Sequence, residues 1–323
     1  MTSISSAYDV TIVIVNYNTR ELLAACLESL FTVISGISFE VWVVDNASSD
    51  GSLDMVGSRF PQVRCISNRT NLGFARANNQ AISQASGRYV VLLNSDTLMM
   101  PMSLETIVTF MDKHQDIGVC GGQLLNHDGT LQNSIANTPT LATELLNKSV
   151  LRRLFPKSYP GKERQIEVPI EVESVIGACM VVSRKAIKEV GALDERYFFF
   201  FEETDWCLSM KKAGWQVWFH PQARIVHLQG ASANRIHIPA RIEYWKSRYL
   251  FFRKHSSLAA FRLLQGGLLV RLLLSLVAQA VVVLFSADAR SRFVLNVTLF
   301  RWHLYGCPPS WGICGTDIGG ESR

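Results

Sequence analysis

Val10 to Val15 (Val-Thr-Ile-Val-Ile-Val) is a β-branched run with no polar face to offer to water, and it stops abruptly at Asn16-Tyr17-Asn18-Thr19. A strand of this kind is buried on both sides, the habit of parallel sheets covered by helices. The pattern then recurs. Arg20 to Phe31 spaces Leu22, Leu23, Cys26, Leu27 and Leu30 as a helix does. Phe39 to Val44 is the next strand and ends in the turn-rich loop Asp45-Asn46-Ala47-Ser48-Ser49-Asp50-Gly51. A helix to Arg59, a strand near Val63 to Ser67, a helix over Ala75 to Ala85 and a fourth buried strand over Tyr89 to Leu93 follow. Strands alternating with helices predict βαβ units and a doubly wound α/β sheet.

Further along, regularity lapses. Asn133 to about Ile170 carries Pro139, Pro156, Pro160 and Pro169 and a basic group of Arg152, Arg153, Lys157, Lys162 and Arg164, and reads as an excursion from the sheet. Order returns over Val172 to Ser183, with a helix from Arg184 to Val190. The C-terminal part changes character. Arg235, Arg241, Lys246, Arg248, Arg253, Lys254 and Arg262 face one acid, Glu243, and the nearly unbroken apolar stretch Leu263 to Phe285 comes next. The expected division is therefore residues 1–235 as the α/β domain and 236–323 as a basic, aromatic and apolar helical extension. With 48% hydrophobic and 18% charged residues the chain can bury a large core. A net charge of +5 does not call for nucleic acid but suits an anionic ligand or a membrane surface. The seven cysteines are scattered, with no CxxC pair, which argues against a disulfide framework or a zinc site and for a reducing cytosol. The N-terminus lacks a basic region leading into an apolar one, so no signal peptide is expected.

Four groups of residues carry chemistry. In open α/β sheets ligands bind beyond the carboxyl ends of the strands, where the loops Asn16-Tyr17-Asn18, Asp45-Asn46-Ala47-Ser48 and Asn94-Ser95-Asp96 are polar. Asp45 is placed to accept bonds from a nucleobase or a ribose hydroxyl, or else to serve as a turn residue. Asn94 and Asp96 at i and i+2 offer oxygen ligands of the kind a hard divalent cation takes together with substrate phosphates. Four consecutive phenylalanines, Phe198 to Phe201, precede Glu202, Glu203 and Asp205. Acids crowded against apolar surface gain the raised pKa of a useful base. His227 closes an apolar strand, either as a core histidine or as a metal ligand.

The series Ile-Val-Ile-Val-Asn-Tyr-Asn-Thr, Val-Val-Asp-Asn-Ala-Ser-Ser-Asp-Gly-Ser, Asn71-Leu72-Gly73-Phe74-Ala75-Arg76-Ala77-Asn78-Asn79 and Leu-Leu-Asn-Ser-Asp resembles family-2 glycosyltransferases of the GT-A fold. Gly177 to Arg184, Phe-Phe-Glu-Glu-Thr-Asp-Trp-Cys-Leu and Ala213-Gly214-Trp215 continue it, and the likeness is greatest to the rhamnosyltransferase-like branch. It spans roughly residues 9–255. The resemblance implies a nucleotide-diphospho-sugar transferase domain with inverting, metal-dependent transfer. It assigns Asn16, Tyr17, Asn18 and Asp45 to the nucleoside, and Arg76 and Asn78 to nucleotide and diphosphate. Asn94-Ser95-Asp96 falls at the metal motif, with Asn94 where an aspartate is common; Asp96 and His227 would hold Mg²⁺ or Mn²⁺. The base falls to Glu203 or Asp205, with Glu202 beside them. The implied partners are a nucleoside-diphosphate sugar, with rhamnose as the branch's sugar, and a lipid-linked or glycan acceptor.

Two other classes compete. A catalytically silent nucleotide-sugar-binding assembly partner has no need of the retained acids. A sugar-phosphate nucleotidyltransferase wants a glycine-rich phosphate loop that is absent here. The stretch Leu263 to Phe285 is long enough to span a bilayer, to lie in its surface or to form a core helix. Its polar residues Gln265, Arg271, Ser275 and Gln279 fall within an arc of roughly 120° and are expected to face water or lipid headgroups. The aromatic residues Tyr244, Trp245, Tyr249, Phe251 and Phe252 among the preceding basic ones suit a headgroup zone. Together these place the protein in the cytoplasm, on the inner face of the cell membrane.

Overall fold

A run such as Val10 to Val15 has to be covered twice, and the fold meets that demand. The computed structural model describes residues 7–155, 166–228, 237–282 and 287–313. Along the chain it contains β1 (Tyr8–Asn16), α1 (Arg20–Val33), β2 (Phe39–Asp45), α2 (Ser52–Arg59), β3 (Arg64–Ser67), α3 (Phe74–Ile82), β4 (Gly87–Asn94), β5 (Thr97–Met99), α4 (Ser103–Lys113), β6 (Ile117–Leu125) and β7 (Ile135–Ala136). Two short helices follow, α5 (Leu141–Leu145) and α6 (Lys148–Leu154). Then come β8 (Ile170–Glu171), β9 (Ser174–Val175), β10 (Cys179–Ser183), α7 (Arg184–Val190), α8 (Glu202–Lys212) and β11 (Gln216–His227). The remainder is helical: α9 (His237–His255), α10 (Leu258–Val282), α11 (Ala287–Leu304) and a short turn at Pro309–Trp311.

The chain divides into two units. All eleven strands with α1–α4, α7 and α8 form the first; α5, α6, Phe198–Phe201 and everything from α9 onward form the second. The boundary expected at 235/236 lies outside the described residues, as do Arg235 and residues 156–165 of the excursion. The second unit also takes in α5, α6 and the four phenylalanines, which the sequence places within 1–235.

The main sheet of the first unit runs β3-β2-β1-β4-β10-β6-β11-β5, with β8 on β11. β3, β2, β1 and β4 are parallel, as the βαβ pattern requires. β10 then enters antiparallel to both β4 and β6, so the sheet is mixed. The central strands feed both faces. Ile12 and Ile14 of β1, Val91 and Leu93 of β4, and Val181 of β10 pack with α1, α2 and α4. Val13, Val90, Leu92, Met180 and Val182 pack with α3, α7 and α8 on the other side. This is the period-2 alternation of a strand buried on both faces.

The second unit is built on aromatic contacts. Trp245, Tyr249, Phe251 and Phe252 of α9 are buried rather than offered to headgroups. Tyr249 stacks on Trp302 of α11 at 6.3 Å between ring centroids and hydrogen bonds His303 at 2.9 Å. Phe201 packs against Tyr244 and Phe251. Edge-to-face and stacked pairs of this kind bury large apolar area, so these four rings form core and not the expected headgroup belt.

α10 corrects a second expectation. Its buried residues Leu264, Leu268 and Leu272 lie, at 100° per residue, inside the same arc as the polar stripe. The stripe therefore faces inward. Arg271 Nη1 donates to the Glu144 carbonyl at 2.9 Å, and Gln279 Oε1 accepts from Asn296 Nδ2 of α11 at 3.0 Å. The opposite face exposes Leu263, Val270, Leu274 and Val277. Leu258–Ala280 has the length and hydropathy to cross a membrane, and only 17% of its most apolar stretch is buried, far less than in a core helix. Residues 283–285 of the expected apolar stretch lie outside the described residues.

Close approach of β1 and β4 depends on Gly87, where an added Cβ would sit 2.4 Å from the Thr11 backbone nitrogen. Gly87→Ala is expected to cost about 1–3 kcal/mol, as overpacking does. Gly57→Ala, in α2 with nothing within 4 Å, should be neutral or stabilise by up to about 1 kcal/mol. Urea denaturation of both variants checks this, and equal midpoints would contradict the contact.

Candidate functional site

Parallel registration brings three polar loops to one edge of the sheet. Asn16 ends β1 opposite Asp45 at the end of β2, and Val15 lies opposite Asn94 at the end of β4. Asn16 Nδ2 donates to Asp45 Oδ1 at 2.7 Å, while Asp45 Oδ2 accepts the Ser48 N–H at 2.9 Å. Asn18, at φ 52°, accepts the Ser49 N–H on its side-chain oxygen. Thr19 Oγ1 donates to Asn16 Oδ1 at 2.6 Å and lies 2.8 Å from Ser95 Oγ. Asn16, Asp45, Asn18 and Ser95 thus form one network, with Tyr17 half-buried beside it. Asp45 is buried and anchors the loops. A carboxylate accepts roughly four hydrogen bonds, so the two it receives here leave capacity for a ligand.

Arg76 and Asn78 do not join each other. Two positions apart on α3, they project to different sides. Arg76 is exposed and pairs with Glu195 at 3.1 Å. Asn78 is fully buried; its Nδ2 donates to the Phe74 carbonyl and its Oδ1 has no partner.

Asp96 and His227 do come together, because β5 pairs antiparallel with β11 and sets Thr97 opposite His227. Asp96 Oδ1 lies 3.4 Å from His227 Nε2. His227 Nδ1 is 2.8 Å from Gln132 Oε1, and Gln132 Nε2 donates to the His227 carbonyl and to Asn126 Oδ1. With its amide nitrogen spent on two acceptors, Gln132 presents oxygen to the ring, so Nδ1 is the donor. With a proton on Nε2, that nitrogen donates to Asp96, whereas without one it aims a lone pair at a carboxylate oxygen. Two facing acceptors fit a cation shared between them, and a histidine oriented through its far nitrogen is the usual arrangement of a metal ligand. Among the described residues no group of three His, Cys, Asp or Glu side chains is arranged to hold a metal. A two-ligand site suits a hard cation that takes its other ligands from water and phosphate. Gln132 carried no sequence signal, since it sits in a stretch without periodicity.

The three acids at the start of α8 are sorted by their surroundings. Glu202 and Asp205 are buried, and Asp205 Oδ1 accepts the Tyr197 hydroxyl at 3.0 Å. Glu203 lies along Gly177, whose missing Cβ would stand 3.5 Å from Glu203 Cβ. Its Oε2 is enclosed with no hydrogen-bond partner among the described residues, and burial raises its carboxyl above the usual range. The raised pKa was expected; the expected cause was the phenylalanine run. Phe200 and Phe201, both left-handed at φ 72° and 70°, instead carry their rings to Tyr244 in the second unit, at 5.6 and 5.2 Å. Within the first unit it is Gly177 that Glu203 packs along. The neighbouring Ala178 carbonyl accepts the Asn94 N–H at 3.0 Å, so the Gly177-Ala178 step touches both Glu203 and the start of the Asn94–Asp96 loop.

Residues 11–191 match the sequence profile of the family described as Glycosyl transferase family 2. The N-acetylglucosaminyl-diphospho-decaprenol L-rhamnosyltransferase of Mycobacterium tuberculosis is 27% identical over 262 residues, 76% of this chain and 84% of that protein. The low-salt glycan biosynthesis hexosyltransferase Agl10 of Haloferax volcanii is 28% identical over 210 residues, 63% of this chain and 62% of its own length. The mannosyltransferase PcManGT from Pyrobaculum calidifontis, solved with GDP-Man and Mn²⁺, superposes with a TM-score of 0.55 at 15% identity, covering 93% of this chain and 88% of that one. GalNAc-T7 with UDP, GalNAc and Mn²⁺ gives 0.54 at 16% identity over 76% of this chain and half of its own. At such identity the structural likeness establishes the fold, which is GT-A.

The surroundings of Glu203 predict a pH signature. A carboxyl whose folded pKa is raised stabilises most when protonated, below the unfolded value of about 4.3, and loses that contribution as pH rises through the folded value. Glu203→Gln should therefore melt above the parent protein at neutral pH, with the gap closing towards about pH 4. Thermal denaturation across this range measures it; a gap independent of pH would mean that the carboxyl is not desolvated.

Proposed function

The chain belongs to glycosyl transferase family 2, and from that premise we propose that this glycosyltransferase is an inverting, metal-dependent enzyme moving a hexose from a nucleoside diphosphate to a lipid-linked glycan acceptor. The observation that carries the metal is the Asp96–His227 pair, a carboxylate oxygen and an imidazole nitrogen facing at 3.4 Å with the histidine oriented by Gln132. These two residues would hold Mg²⁺ or Mn²⁺, which when bound neutralises charge on the departing nucleoside diphosphate. The likenesses to mannosyltransferase and GalNAc-T7 structures solved with Mn²⁺ support the same reading.

The protein's own groups supply the rest. Asn16, Tyr17, Asn18 and Asp45 hold the nucleoside at the strand ends. Arg76 exchanges Glu195 for the diphosphate, Asn78 braces α3 beneath it, and Asn94 and Ser95 shape the loop that presents Asp96. Glu203 is the base: its carboxyl is desolvated and one oxygen has no partner, whereas Asp205 is engaged by Tyr197. Glu203 takes the acceptor hydroxyl's proton as the oxygen attacks the anomeric carbon from the face opposite the leaving group, and one displacement inverts that centre. Glu202 and Asp205 support α8 beside it. The mycobacterial relative's name supports rhamnose as the sugar and a polyprenyl-diphosphate sugar as the acceptor. The first unit is the catalytic domain in this reading. The apolar face of α10 seats the protein on the cytoplasmic side of the membrane, where such an acceptor is found.

Transfer to a polyprenyl-diphosphate-linked sugar is expected to stop with chelator and return with Mg²⁺ or Mn²⁺. Glu203→Gln should lower kcat by on the order of 10²–10⁴ while donor binding persists. Full activity in chelator removes the metal from the mechanism, and loss in Asp205→Asn with little effect in Glu203→Gln moves the base two residues. On the membrane side, sedimentation with anionic liposomes should survive high salt but not detergent. A protein that stays in the supernatant refutes the seating on α10.

A further inference from the structure

The second unit contains a cavity of about 700 Å³ for which the reading above has no use. Among the described residues its charged lining is Arg241, Arg248 and Arg271 against the single acid Glu144, an excess of two positive charges. Leu268, Leu272, Leu295 and Leu299 form an apolar side.

Arg248 is the informative residue. It is buried, lies 4.2 Å over the Trp245 ring centroid, and its Nη1 donates to Glu144 Oε2 at 3.1 Å. Its Nε and Nη2 are enclosed and have no acceptor among the described residues. A guanidinium offers five N–H groups in a fixed fork, and a buried donor left unmade costs about 1–3 kcal/mol. One carboxylate bonded through one nitrogen does not balance such a group. Arg271 offers no relief, since a guanidinium has donors and no acceptor; its own Nη1 is spent on the Glu144 carbonyl. Buried cations without full pairing destabilise a fold, and a cavity beside one gives the missing acceptors room to enter.

The size of the charge excess narrows the ligand. A carboxylate brings one charge, whereas a phosphate monoester brings about −1.5 to −2 at neutral pH and matches the arginine fork in two parallel bonds. We propose that this cavity is a phosphate-binding site, taking the phosphate or diphosphate group of a ligand whose apolar part, where it has one, lies along the leucine side. Because Nε and Nη2 are enclosed, the guanidinium has to turn from Trp245 to grip the anion. The site follows from its own charge and geometry. Only the choice of a lipid diphosphate as its natural occupant rests on the acceptor proposed above.

Binding is read apart from transfer, so the two ideas fail separately. Full-length protein in detergent, at constant ionic strength with chelator to prevent cation-bridged binding at Asp96 and His227, is titrated with pyrophosphate and with farnesyl diphosphate. Saturable thermal stabilisation is expected with at least one probe. The double variant Arg241→Gln/Arg271→Gln removes two exposed side chains and should weaken binding about tenfold, the scale of one lost charge-assisted hydrogen bond. Arg248→Lys keeps the charge but not the fork and should weaken it as well. Tighter binding of farnesyl diphosphate marks a lipid source, and equal binding marks a free anion. No saturable binding of either probe, or unchanged affinity in the double variant, overturns the proposal.

Discussion

The pairing register of β1 organises the first unit. Asn16 meets Asp45 and Val15 meets Asn94 only because the doubly buried run pairs as it does with β2 and β4. A slip by one residue would exchange the two faces of the strand, setting Val13 where Ile12 and Ile14 pack and separating the polar ends. The hydrophobic alternation that stabilises the sheet is therefore the same device that aligns the ligand-facing loops. Fold and site share one determinant, and this explains how a few short hydrogen bonds, such as Asn16 to Asp45 at 2.7 Å, suffice to lock three loops.

Much of this was legible before the structure. The first four strands and their helices follow from β-branched runs and helical spacing, and the polar loops fall at their ends. What escaped was direction and partnership across long separations. Cys-Met-Val-Val-Ser of β10 is buried on both faces like β4, and nothing in such a pattern distinguishes parallel from antiparallel. Gln132 orients His227 from 95 positions away, a relation that spacing does not encode. Gly177 falls in the ordered stretch Val172 to Ser183, and nothing in that pattern says that Glu203 lies along it.

The C-terminal half was harder for a different reason. Aromatic and basic residues interleaved suit a headgroup zone and a small aromatic core equally well, and composition does not separate the two. The structure buries Trp245, Tyr249, Phe251 and Phe252. Likewise, a polar stripe on an apolar helix signals a special face without saying what it meets. In α10 it meets protein, because α5 and α11 supply the Glu144 carbonyl and the Asn296 amide that satisfy it.

That inward stripe also acts as a key. Arg271 and Gln279 are eight residues apart on one helix, and a hydrogen bond at each leaves α10 no freedom to spin about its axis. A helix held only by leucines can roll by tens of degrees at little cost, since greasy contacts are non-directional. Here the azimuth is set, so Leu263, Val270, Leu274 and Val277 always look the same way. Whatever apolar medium they meet, they meet it as a fixed keel and not as a swivel, and the second unit keeps one orientation relative to that medium.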